Sequence, residues 1–165
     1  MYENGVQFLH LAINKNSSGM DSIKLSFNVP KLKKLNTVCI IEDSPLESNM
    51  LIDYLGKYSN LVVKTFLNGE DCIKDVIVSK ISPDLILLDY FLDSVLASSK
   101  DGLEILTKLK EISPNSEIIM LTSVDNERIV ELARKKGAIG YVAKGASSFE
   151  KLDSIIRNNF SIETL

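Results

Sequence analysis

The chain has 165 residues, 19 Lys+Arg against 22 Asp+Glu, a net charge of −3 and 45% hydrophobic residues. That is enough chain for one domain with a full core and too little for two ordinary ones, and the charge balance leaves no nucleic-acid footprint. No apolar run approaches the roughly 20 residues of a membrane helix, and the N-terminus lacks the basic start and apolar block of a signal peptide.

Residues 1–36 read as an N-terminal extension and linker of unknown role. They hold an apolar stretch, Val6 to Ile13, whose period fits a strand or a helical turn and a half equally well. A polar linker from Asn14 to Asp21 and a basic approach, Lys31-Leu32-Lys33-Lys34, follow. From Thr37 the pattern becomes regular, and a domain over 37–160 is expected, with 161–165 as a C-terminal tail. Val38-Cys39-Ile40-Ile41 is a continuous apolar run of the kind a central parallel strand needs when both faces are covered.

Ser44-Pro45-Leu46-Glu47 then predicts a helix with an N-cap, a proline at the first helical position and a capping-box glutamate. Met50, Leu51, Tyr54, Leu55 and Tyr58 form its expected buried stripe. Leu61 to Phe66 reads as a second strand, and Asn68 opens a helix to about Ser79. Asp84 to Leu88 is the most apolar strand and belongs at the sheet centre. After a long loop, Gly102 to Glu111 is helical with Leu103, Leu106 and Leu109 inward.

Glu117 to Leu121 is a fourth strand, followed by a helix from about Asp125 that Gly137 ends. Ile139 to Ala143 is a fifth strand. Ser147 and Glu150 form a second capping box for a last helix, with Phe149, Leu152, Ile155 and Ile156 on one face. Five strands alternating with five helices predict a doubly wound α/β domain with a five-stranded parallel sheet. Cys39 and Cys72 have no metal-ligand spacing and are expected to be buried free thiols in a reducing cytoplasm. His10 is the single histidine, so zinc sites and histidine-based catalysis lack materials.

In open parallel α/β sheets, ligands bind beyond the carboxyl ends of the strands. Glu42, Asp43, Asp89, Thr122 and Lys144 stand at four of those ends. Three uncompensated carboxylates repel, and oxygen ligands with room for water suit Mg²⁺. The ion and the lysine would neutralise charge on a phosphoryl group moving onto a carboxylate, and Asp89, ending the most central strand, is the best nucleophile.

Residues 37 to about 160 resemble the receiver domain of bacterial two-component response regulators. The resemblance rests on Val38-Cys39-Ile40-Ile41-Glu42-Asp43, Leu85-Ile86-Leu87-Leu88-Asp89, Ile118-Ile119-Met120-Leu121-Thr122 and Gly140-Tyr141-Val142-Ala143-Lys144. It implies the flavodoxin-like strand order 2-1-3-4-5, an order the receiver family itself illustrates. It further implies that Asp89 accepts a phosphoryl group from a sensor histidine kinase or a histidine phosphotransfer protein. Glu42, Asp43, Asp89 and the backbone carbonyl of Phe91 would hold Mg²⁺. Thr122 and Lys144 would contact the phosphoryl oxygens, and Tyr141 would be the switch aromatic. The output surface would be the fourth helix, fifth strand and fifth helix, facing an unknown output protein, with homodimerisation on phosphorylation open. No direct nucleic-acid or membrane partner is implied.

Three features depart from the family pattern. Gly145 follows Lys144 where receivers usually carry proline with a cis bond. The loop from Asp89 to Gly102 is long, with Asp93 to Lys100 as the apparent insertion. Phe91 stands where a polar side chain is common, and together with Val124 it predicts a long-lived aspartyl phosphate. With few residues after the last helix, a stand-alone receiver of the chemotaxis-regulator kind is expected, catalysing only its own phosphorylation and dephosphorylation. The alternative is a phosphorylation-independent pseudo-receiver adaptor. An aspartate-nucleophile phosphatase would need an acid at Phe91, and a flavin carrier would be repelled by Glu42-Asp43.

Overall fold

The structure, a computed structural model, describes residues 8–15, 21–28, 32–80, 82–92, 102–123 and 126–165. It divides into two compact units, 1–32 and 33–165. In the first, β1 (Phe8–Lys15) pairs antiparallel with β2 (Asp21–Asn28), in a register running from Phe8 opposite Asn28 to Lys15 opposite Asp21. The apolar stretch is therefore a strand, and Asn14, Lys15 and Asp21 belong to strands rather than to a linker. The alternation Ile23, Leu25, Phe27 is the period-two signal of the second strand.

The second unit opens with β3 (Lys33–Lys34), which lies parallel to the short last strand, β9 (Phe160–Ser161). Between them run β4 (Thr37–Ile41), α1 (Pro45–Leu55), β5 (Val62–Phe66), α2 (Gly69–Ser79) and β6 (Leu85–Asp89). Next come α3 (Gly102–Ile112), β7 (Glu117–Thr122), α4 (Glu127–Lys135), β8 (Gly140–Ala143) and α5 (Ser148–Asn159). The five central strands are all parallel and ordered β5-β4-β6-β7-β8, the expected flavodoxin-like order. Loop insertion 93–100, Val124 and Asp125 lie outside the described residues.

Side-chain alternation splits the core into two layers. Val38, Ile40, Leu85, Leu87, Ile119 and Leu121 pack against Leu51 and Leu55 of α1 and Leu152 and Ile156 of α5. Cys39, Ile41, Ile86, Leu88, Ile118 and Met120 face α2, α3 and α4 through Cys72, Val76, Leu103, Leu106, Leu109 and Ala133. β6 is central, and its Leu85 to Leu88 are fully buried. At roughly 1.5–3 kcal/mol per large aliphatic side chain, this strand alone contributes strongly to burial energy. Cys39 and Cys72 are buried free thiols, as expected.

Three local expectations differ from the structure. Met50 is 48% exposed, because α1 buries its Leu51–Leu55 edge and turns Met50 outward. The α1 capping box is half made: the Glu47 amide donates to Ser44 Oγ, but the Ser44 amide donates to Glu42 Oε1 at 3.2 Å. At α5, Ser147 makes no side-chain cap, and Ser148 Oγ donates instead to the Gly145 carbonyl at 2.8 Å. At α1 only the reciprocal glutamate bond is displaced, by Glu42 at the end of β4, whereas at α5 the bond stays within the turn that precedes the helix.

The C-terminal residues pack onto the turn after α1. Thr164 bridges to Tyr58, the Ser59 amide donates to the Glu163 carbonyl at 2.9 Å, and the Leu165 amide donates to the Lys57 carbonyl at 2.9 Å. Gly137, with φ +96°, takes the left-handed conformation at the end of α4, and the Ala138 amide closes the helix on the Ala133 carbonyl.

Candidate phosphoryl and metal site

The parallel register aligns the strand ends, so each residue that follows a strand emerges on one edge of the sheet. Glu42 follows β4, and its amide donates to the Phe66 carbonyl of β5 at 3.0 Å. Asp89 is the last residue of β6, and Thr122 the last of β7. Lys144 follows β8, and its amide donates to the Thr122 carbonyl at 2.7 Å. Glu42, Asp89 and Thr122 are all buried, which is costly for two carboxylates unless they are paired.

Lys144 supplies the pairing. Its Nζ lies 2.8 Å from Glu42 Oε2 and 3.0 Å from Asp89 Oδ2, and it also bonds Glu47 Oε2. Asp89 Oδ1 accepts from the Phe91 amide at 3.3 Å. Glu42, Asp43 and Asp89 each offer a carboxylate oxygen, all within 4.8 Å of one another. Three hard oxygen donors gathered this closely, two of them buried, fit a hydrated Mg²⁺ ion.

The electrostatics follow from burial. Burial pushes the Glu42 carboxyl up to about 7, against the opposing hydrogen bond from Lys144. Burial likewise raises Asp89, with Lys144 pulling the other way. Burial alone would lower Lys144, but bonds to Glu42 and Glu47 and the charge of Asp89 outweigh it and hold the ammonium above its ordinary value. The more exposed Glu47 is lowered, chiefly by its bond to Lys144.

Of the remaining candidates, Tyr141 is partly buried on β8, beside Val130, Ala133 and Arg134 of α4. The Phe91 side chain is 47% exposed and packs edge-on against Tyr90, with ring centroids 4.7 Å apart. The Lys144–Gly145 peptide bond is trans. Glu47 is a member of the cluster that sequence reasoning assigned to helix capping. The signal was its place one helical turn beyond Glu42-Asp43, on the helix that the first strand feeds.

Comparison with known proteins gives a consistent family. Residues 38–157 match the model of the response regulator receiver domain. The chain is 27% identical over 118 residues to the chemotaxis protein CheY of Halobacterium salinarum, covering 72% of this chain and 92% of that one. It is 32% identical over 109 residues to the nitrate/nitrite response regulator protein NarL of Escherichia coli, covering 66% of this chain and 47% of the other. Against the response regulator protein VraR of Staphylococcus saprophyticus it is 29% identical, covering 76% of this chain and 58% of the relative. The chain thus spans about half the length of the NarL and VraR relatives it matches.

Among solved structures, the signal receiver domain of a modulated diguanylate cyclase from Desulfovibrio desulfuricans superposes with a TM-score of 0.61. It shares 27% identity, over 76% of this chain and 94% of that one. A response regulator protein from Burkholderia pseudomallei shares the fold at a TM-score of 0.62 and 22% identity, over 75% and 68% of the two chains. With residues 38–157, nearly three quarters of its length, matched to one family model and a central sheet in that family's strand order, the chain belongs to the response regulator receiver domains.

Proposed function

We propose that this receiver accepts a phosphoryl group on Asp89 from a phosphohistidine donor in a Mg²⁺-dependent reaction. One observation carries the reading: Glu42, Asp43 and Asp89 offer oxygens within 4.8 Å of one another, with the Lys144 ammonium 3.0 Å from Asp89. Magnesium, when bound by Glu42, Asp43, Asp89 and the Phe91 carbonyl, supplies positive charge against the phosphoryl oxygens.

The chain's own groups do the rest. The Phe91 amide steadies Asp89 Oδ1, and Lys144 bonds Oδ2, so the acceptor carboxylate is oriented before the donor arrives. An Asp89 oxygen forms the new O–P bond as the donor's P–N bond breaks, and the released imidazole keeps its electron pair and takes a proton from solvent. Lys144 and the Thr122 hydroxyl then hold the phosphoryl oxygens.

The added charge at Asp89 biases a repacking that Thr122 and Tyr141 report to the face of α4, β8 and α5. Partners of this reading are a sensor histidine kinase or a histidine phosphotransfer protein on the input side and an output protein on that face. The reading places the chain in the cytoplasm, where such donors act.

The test is incubation with Mg²⁺ and acetyl phosphate, read by intact mass. The expected result is one added phosphoryl group in the wild type and none in Asp89→Asn. No adduct in the wild type would favour a phosphorylation-independent adaptor, and an adduct surviving in Asp89→Asn would refute the assignment of the acceptor.

A further inference from the structure

An ammonium has three protons, and Lys144 directs them at three carboxylates: Glu42, Glu47 and Asp89. We propose that Glu47 is a positioning residue that competes for Lys144 and so restrains phosphoryl acceptance at Asp89. The inference rests on the reading of Asp89 as the acceptor.

The three partners differ in how they are held. Glu42 is 1% exposed and is tied by its other oxygen to the Ser44 amide. Asp89 is 4% exposed and is tied to the Phe91 amide. Glu47 is 44% exposed at its side chain and stands in the first turn of α1. Its expected local role, bonding back to the Ser44 amide, is taken by Glu42, so the Glu47 carboxylate is committed across the site to Lys144.

The lysine's backbone is held by its amide on the Thr122 carbonyl and by Ser148 on the Gly145 carbonyl, which leaves the long side chain to be placed by its partners. The next residue, Gly145, has open space where a Cβ would be, and its bond to Lys144 is trans. At the end of that side chain the three carboxylates hold Nζ, and Glu47 is the one that solvent can receive. A phosphoryl group on Asp89 brings new acceptor oxygens to an ammonium with no free proton. It also brings negative charge to within a few ångströms of the Glu47 carboxylate. Both effects work against the transfer; Glu47→Gln removes the charge and weakens, without abolishing, the hold on Lys144.

The experiment follows Asp89 labelling by acetyl phosphate and Mg²⁺ with intact mass, in wild type, Glu47→Gln and Glu47→Asp. In this reaction the Asp89–phosphorus bond forms as the acetyl oxygen–phosphorus bond breaks, and acetate leaves. At low ionic strength Glu47→Gln is expected to label roughly fivefold faster than wild type, the scale of one unit charge acting through solvent at contact distance. Glu47→Asp keeps the charge and is expected to stay near the wild-type rate.

The advantage of Glu47→Gln should shrink as salt is raised towards molar, because screening removes a charge effect and leaves a packing effect untouched. Labelling of Glu47→Gln at or below the wild-type rate, or a rate ratio independent of salt, overturns the inference and leaves the acceptor assignment standing. No labelling of the wild type overturns the acceptor assignment and this inference with it.

Discussion

Asp153 on α5 is the acceptor for four donors and joins α5 to the end of α1. Oδ1 accepts from Lys57 Nζ at 2.5 Å, Tyr58 Oη at 2.5 Å and Tyr54 Oη at 3.2 Å, and Oδ2 accepts from Arg157 Nε at 2.8 Å. Lys57 also sits 4.0 Å from the Tyr54 ring centroid, and Tyr54 stacks on Phe149 of α5. Lys57 first, then Tyr58, hold the Asp153 carboxyl well below the usual carboxylate range.

Asp153→Asn keeps the shape and one acceptor oxygen but removes the charge. The bond from the buried Tyr58 hydroxyl to a charged acceptor contributes about 1.5–3 kcal/mol, and weakens rather than vanishes with an amide. The Lys57 side chain is 38% exposed, so solvent screening limits its pair to about 0.5 kcal/mol, and the more exposed Arg157 pair adds little. The expected loss is about 2 kcal/mol at pH 7. A depressed folded-state pKa contributes stability that is full above the unfolded value and is lost as pH falls through the folded one. The gap between wild type and variant should therefore be constant above about pH 5 and narrow below about pH 4. Urea denaturation at pH 7, 5 and 3 measures it. A gap below about 0.5 kcal/mol at pH 7, or one that does not narrow in acid, would refute the reasoning.

Other outcomes follow from the same geometry. Magnesium at ten times its dissociation constant should stabilise the wild type by about 1.4 kcal/mol in urea titrations. An equal gain in the Asp43→Asn, Asp89→Asn double variant would remove the metal from these carboxylates. Phe91→Asn should shorten the lifetime of the aspartyl phosphate, because an amide beside Asp89 can orient water where a phenyl ring cannot. Equal or slower decay, followed by intact mass after donor removal, would sink that idea. A Cβ at Gly69 would lie 2.5–2.6 Å from three carbons of Ile105, so Gly69→Ala should cost roughly 1–3 kcal/mol. Combining it with Ile105→Val should recover part of that loss, and strict additivity of the two changes would contradict the contact.

The alternation of apolar runs and amphipathic helices was local information, and it determined the fold. Leu85 to Leu88 reads as a strand covered on both faces because a residue pair on each face must be apolar, and all four are buried. The strand-end acids and Lys144 were legible for the same reason: a parallel sheet brings the residues that follow its strands to one edge. The hairpin strand at Asp21–Asn28 was visible only as the alternation of three apolar residues among polar ones.

What the sequence could not decide was which partner each polar group would choose. Ser44 and Glu47 have the spacing of a capping box, and local geometry alone would pair them. The folded chain brings Glu42 and Lys144 to the same helix end, from residues 2 and 97 positions away from those two partners. A buried carboxylate needing donors and an ammonium with three protons outcompete the local cap, because burial raises the cost of leaving either unpaired. Residue order thus set the site's inventory. Only the tertiary structure set its pairing, because that pairing depends on burial and on groups brought together from distant strands.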